Sequence, residues 1–150
     1  TESSLPWYQG LLYSDTTLYT CGQRIFKSLD YGETWENISG NITTTATRDI
    51  ERNDSLVFIA TSGGVFYSHS DSNWININGN HNFTILNNIE IDNNRIYVSY
   101  GDSIWYSENM GLDWISITSP IFENDNIHSM YVKDSVIYLA TQDGVYATHN

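Results

Sequence analysis

The chain has 150 residues, with six Lys and Arg against eighteen Asp and Glu and a formal net charge of −12. That field repels phosphate backbones and anionic lipid surfaces, which argues against nucleic acid as a partner, and no apolar run approaches the roughly 20 residues needed to insert across a bilayer. Hydrophobic residues at 40% and aromatic residues at 14% exclude a disordered chain, and the length suits one domain, residues 1–150, with a core of its own.

A single cysteine, Cys21, permits no internal disulfide and reads as a small buried apolar side chain; four scattered histidines give no material for a zinc cluster. The composition is rich in Asn, Ser, Thr and Tyr and poor in Lys, which leans toward a secreted or envelope-associated protein. The chain begins at Thr1 with neither methionine nor signal peptide, as expected of a mature form, an excised fragment or part of something longer. Asn-x-Ser/Thr sequons occur at Asn37, Asn41, Asn53 and Asn82.

In chain order, "DTTLYT" from Asp15 reads as a turn followed by an alternating, β-rich strand, and "RIFKS" from Arg24 as the strand that returns. Then comes "SLDYGETW", Ser28 to Trp35, and the short strand "WENIS". The same order recurs twice. "DSLVFIAT" (from Asp54), "GVFYS", "SHSDSNW" (68–74) and "WININ" form one copy; "NNRIYVSY" (from Asn93), "SIWYS", "SENMGLDW" (107–114) and "WISIT" form the next. A last copy, "DSVIYLAT" (from Asp134) and "GVYAT", ends with the chain. The gaps hold further strands such as "NNIEI" and "IHSMYV". A period of about 40 residues with four strands and turn glycines specifies an all-β fold. It predicts a β-propeller of about four antiparallel, four-stranded blades, as a partial propeller or half-ring. The repeats run approximately 1–40, 41–79, 80–119 and 120–150, the last incomplete.

Within the motif each residue type has a mechanical role. Asp30 is suited to accept turn N–H groups, Gly32 to supply a positive φ, Ser28 to bond across the hairpin, and Trp35 to bury its ring between sheets while its indole N–H finds a carbonyl. The equivalent positions are Ser68, Asp71 and Trp74 in the second copy, which is one residue shorter and lacks the glycine, and Ser107, Asn109, Gly111 and Trp114 in the third. Ser-x-Asp-x-Gly-x-x-Trp resembles the Asp-box of sialidase-type β-propellers, found also in sortilin-type receptors, xyloglucan-cleaving glycosidases and photosystem II assembly factors. The resemblance implies that these residues are structural and lie at the blade periphery, away from any catalytic face.

Sialidase-like chemistry needs an arginine cluster, a Tyr nucleophile with a Glu partner and an Asp acid/base. Arg24, Arg48, Arg52 and Arg95 do not recur at equivalent blade positions, Arg48 and Arg52 being placed on an outer strand, and the Arg-Ile-Pro motif of sialidase domains is absent. No catalytic set is therefore assigned. Asp15, Asp54 and Asp134 read as turn residues, and Glu36, Glu51 and Glu90 as solvated strand positions. No cofactor is expected. The segments 92–94 and 124–126 offer oxygen ligands for calcium but read better as turns.

Four repeats leave open blade faces that something must cover. The alternatives are a piece of a longer propeller, a self-closed four-bladed ring, or two copies joined as a homodimer into eight blades. Because the chain stops in mid-motif at Asn150, further propeller blades are the first expectation. The N-terminal "TESSLP" is placed to supply a missing outer strand. The functional expectation is a non-catalytic interaction module, extracellular or envelope-associated, whose loops bind a protein or glycan partner. The alternatives are a fragment of a sialidase-like or xyloglucanase-like glycoside hydrolase, or an assembly factor of the photosystem II type.

Overall fold

The computed structural model describes residues 8–43, 46–53, 55–69, 72–117 and 125–149. Among them there is no helix, and fifteen strands form four antiparallel meanders. Blade 1 comprises β1 (Tyr8–Ser14), β2 (Thr17–Gly22), β3 (Ile25–Ser28) and β4 (Glu36–Asn37). Blade 2 comprises β5 (Thr47–Arg52), β6 (Val57–Thr61), β7 (Gly64–Ser68) and β8 (Ile75–Asn76). Blade 3 follows with β9 (Asn88–Asp92), β10 (Arg95–Tyr100), β11 (Ser103–Ser107) and β12 (Ile115–Ile117). Blade 4 has β13 (Ile127–Lys133), β14 (Val136–Thr141) and β15 (Val145–His149). The propeller architecture expected from the repeats is thus observed, with three described strands in the last blade.

Strict alternation along short β-branched and aromatic runs gives each blade two faces, and in blades 1 to 3 the forward face packs on the rear face of the next. Tyr19, Cys21 and Ile25 on the front of blade 1 meet Ile50, Val57 and Ile59 on the rear of blade 2. Phe58, Ala60 and Val65 then meet Ile89, Ile96 and Val98, and Tyr97 and Ile104 meet Met130, Val132, Ile137 and Leu139. Registers are equivalent in all four blades: Leu11↔Thr20, Ile50↔Ile59, Ile89↔Val98 and Met130↔Leu139 occupy the same rear-face position. Cys21, fully buried as its apolar surroundings require, touches the inner strand so closely that a Cβ on Gly10 would lie 2.7 Å from its sulfur.

The two end faces are open. On the rear of blade 1, Leu11 is 73% and Tyr13 57% exposed; on the front of blade 4, Val145 is 81%, Tyr131 56% and Tyr138 43% exposed. The first strand of every blade is the innermost, and β1, β5, β9 and β13 together wall one axial cavity of about 570 Å³. This corrects the placement of Arg48 and Arg52, which sit on β5, an inner strand and not an outer one. The sequence cannot tell inner from outer strands by alternation alone, since both are short and amphipathic. "TESSLP" lies outside the described residues.

Candidate functional site

The Ser-x-Asp-x-Gly-x-x-Trp turns occupy one end of the blades. In the first, Ser28 Oγ donates to Asp30 Oδ1 at 2.7 Å and accepts from the Gly32 N–H at 2.8 Å. Thr34 donates its N–H to Asp30 Oδ1 at 2.9 Å and its hydroxyl to Asp30 Oδ2 at 2.6 Å. These bonds, those from Thr34 first and then that from Ser28, lower the Asp30 carboxyl to a pKa of about 2. Ser28 bonds within the turn and not across the hairpin. Gly32 has φ 94° and follows Tyr31 at φ 57°, so the turn takes two left-handed residues in a row, and glycine makes the second inexpensive.

The third turn repeats the geometry with an amide. Gly111 N–H donates to Ser107 Oγ at 2.8 Å and Asp113 N–H to Asn109 Oδ1 at 2.9 Å, while Asn109 Nδ2 donates to Asp113 Oδ2 at 2.9 Å. Asn109 therefore keeps the acceptor role of Asp30, and its spare donor is matched by a carboxylate. Asp71 lies outside the described residues, whereas Ser68 and Trp74 are buried.

The tryptophans reach backwards. Trp74 Nε1 donates to the Ile38 carbonyl at 2.9 Å and Trp114 Nε1 to the Ile77 carbonyl at 3.0 Å, each pinning its blade to the end of the preceding one. Trp35, in the first blade described, remains half-exposed. A residue outside the motif completes the joint between blades 1 and 2: Asn41 accepts from the Trp74 N–H at 2.8 Å and donates to its carbonyl at 2.9 Å, imitating a ladder pair. Its only signal is the Gly-Asn pair, Gly40-Asn41, recurring as Gly79-Asn80.

Antiparallel order puts the starts of the inner strands, the β2–β3-type turns and the blade-to-blade connections at the opposite end. The axial cavity is entered there, past Gln9, Arg48, Asn87 and His128. A second cavity, of about 430 Å³, is lined by Gln23, Arg24, Ser39, Thr43 and Thr47 of blades 1 and 2. In the axial wall Arg48 Nε is buried and makes no hydrogen bond.

Three carboxyl groups stand on β5 and β9, and Glu51 and Glu90 are half-buried rather than solvated. All three lie on the forward faces of their strands, toward the next blade, and such a residue alternates in sequence like one facing solvent, which is why the sequence hides this. Burial first, and then the neighbouring Glu51, push the Glu90 carboxyl up to about 8; burial also raises Asp49 and Glu51. Asp49 accepts from the Ile89 N–H of the next blade at 2.9 Å and Glu51 from the Arg52 N–H at 2.8 Å. Glu90 also accepts a backbone bond from Val132 in blade 4. Asp49 and Glu90 thus tie successive inner strands together.

The arginines stay apart: Arg52 pairs with Asp15 at 2.9 Å, Arg95 with Glu108 at 2.6 Å, Arg48 faces the axis and Arg24 the second cavity. Asp15 and Asp134 sit in turns at φ 58° and 53°; Asp54 lies outside the described residues. Glu36 is exposed beside Lys27 at 3.5 Å. Of the two oxygen-rich segments, Asp92 accepts from the Ser135 N–H at 3.0 Å, and Asp125 accepts from the Thr141 hydroxyl and, at 3.2 Å, from the Asp143 N–H. Among the described residues no group of three or more His, Cys, Asp or Glu is disposed to hold a metal ion.

No family model matches the sequence, and no curated protein does either. Solved structures do. The computationally designed Ika4 protein superposes with a TM-score of 0.76 at 10% identity, over 99% of this chain and 94% of that one. The likeness is one of fold. The designed Ika8 protein gives 0.74 at 10% identity over 95% of this chain and 46% of its own, and an ancestral GH74 enzyme 0.72 at 19% over 94% and 22%. The chain thus spans nearly all of Ika4 but under half of Ika8 and about a fifth of the enzyme.

Proposed function

We propose that the chain is a non-catalytic propeller module, of extracellular or envelope location, that binds a protein or glycan partner at the end opposite its Ser-x-Asp-x-Gly-x-x-Trp turns. On this reading those turns are Asp-boxes and belong to the scaffold. The observation that carries the proposal is the polar mouth of the axial cavity, where the buried, unbonded Arg48 Nε sits among Gln9, Asn87 and His128. A ligand with hydroxyl, carboxylate or peptide acceptors satisfies such a donor, and a small number of placed polar groups in a concavity is how sites of this kind orient what they bind. The low lysine content supports the location.

Glycan and peptide arrays probed with the 150-residue chain test the reading. Binding that is lost in Arg48→Ala and in His128→Ala, with the β-sheet circular dichroism unchanged, is the expected result. Binding unaffected by both, or absent from every array, overturns it. A second reading, a piece of a glycoside hydrolase, draws on Glu90: a carboxyl that retains its proton at neutral pH is what a general acid requires. Release of chromophore from aryl glycosides, or cleavage of xyloglucan, abolished in Glu90→Gln, would favour it over the binding module.

A further inference from the structure

We propose that the two open blade faces are the two halves of a single blade–blade contact, closed by a second copy of this chain into a two-fold ring. The strand registers supply the argument. The exposed rear of blade 1 (Leu11, Tyr13, Leu18, Phe26) holds the positions that Ile50, Arg52, Val57 and Phe66 hold in blade 2. Behind those residues, the forward face of blade 1 is seated. The exposed front of blade 4 (Tyr131, Tyr138, Val145) holds the positions that Glu51, Phe58 and Val65 hold in blade 2, where Phe58 and Val65 are buried under blade 3. One chain therefore carries one unfilled half of each kind, and three filled contacts of the same type show that the halves fit.

Chemistry agrees with the geometry. The named residues of the two open faces include no carboxylate in a chain with eighteen, and the forward face of blade 4 has one charge, Lys133, at its rim. Large apolar patches of this kind mark association surfaces. Both halves remain exposed although all four inner strands share the axial cavity, so the arc does not close on itself. A rotation about the propeller axis places the front of blade 4 of each copy on the rear of blade 1 of the other, so both contacts form at once and the assembly stops at two. The half-exposed Trp35, packed over Gly32 beside Leu18, is covered by the same event.

Light scattering behind size exclusion tests this, with the chain at about 100 µM, enough to populate a contact of micromolar affinity. The expected mass is twice 17.1 kDa. Leu11→Asp and Val145→Asp alter side chains that are solvent-exposed in the single copy, so each is expected to give a folded species of 17.1 kDa with unchanged circular dichroism. An equimolar mixture of the two variants retains one unaltered contact and is expected to regain mass above the single chain. A wild-type monomer at this concentration overturns the proposal. So does a dimer indifferent to either substitution, which would mean one face packing on its own copy, and so does an open series of larger species.

Discussion

At the scale of single residues, the Ser-x-Asp-x-Gly-x-x-Trp turn gathers a hydroxyl, a carboxylate and an indole, and its polar groups are satisfied internally. Ser28, Asp30 and Thr34 spend their polar atoms on one another and on turn N–H groups, and the depressed Asp30 carboxyl follows from those bonds. Asn109 shows what the position requires, an acceptor for the N–H four residues on. Asp30→Asn should therefore keep most of the stability that Asp30→Ala loses, as read from urea midpoints at pH 7. Because the folded pKa lies below the ordinary 3.8, the contribution of Asp30 is complete above that value and disappears as pH falls through about 2. Cys21 gives a second expectation. Burial, and then the charge of Asp49, push its thiol up to about 12, so a disulfide-exchange reagent should leave it unmodified in the native protein and label it stoichiometrically in denaturant.

At the scale of elements, strands and turns were legible because their signals are local. Short apolar, β-branched and aromatic runs mark "LVFIAT" and "RIYVSY", and Gly32 and Gly111 take left-handed positions in the turns of the first and third copies. Which strand lines the axis was not legible, since that depends on how blades stack, and the segments read as gap strands, β9 and β13, turn out to be innermost. The same blindness hid the candidate site. Arg48 was read on an outer strand and Glu90 as solvated, whereas both face the axial wall. Stacking β5 on β9 gathers Asp49, Glu51 and Glu90, and the strain shows in their raised pKa values. A carboxyl whose folded pKa lies above its unfolded 4.5 destabilises the fold once it must ionise, so stability should decline as pH rises from about 4.5 to about 8. Glu90→Gln should flatten that decline and raise the thermal midpoint at pH 8 more than at pH 5. Equal shifts at both pH values would refute the assignment.

At the scale of the whole molecule, the blades have two unlike ends. One end holds the turns, where Trp74 and Trp114 pin blades 2 and 3 to the blade before; the other holds the polar mouths of both cavities. The count of repeats was readable in the sequence, which left a self-closed ring as one alternative; that the end faces stay open needed the exposures, and their complementarity needed the registers. Equilibrium urea unfolding of Trp114→Ala and Arg48→Ala beside the parent chain tests the division most directly. Trp114 is 6% exposed and bonded across a blade joint, so its truncation is predicted to cost about 3–5 kcal/mol. Arg48→Ala removes an unbonded donor from a cavity wall and is predicted to stay within about 0.5 kcal/mol of the parent. A Trp114 variant as stable as the parent, or an Arg48 variant that unfolds as a core variant does, would contradict it.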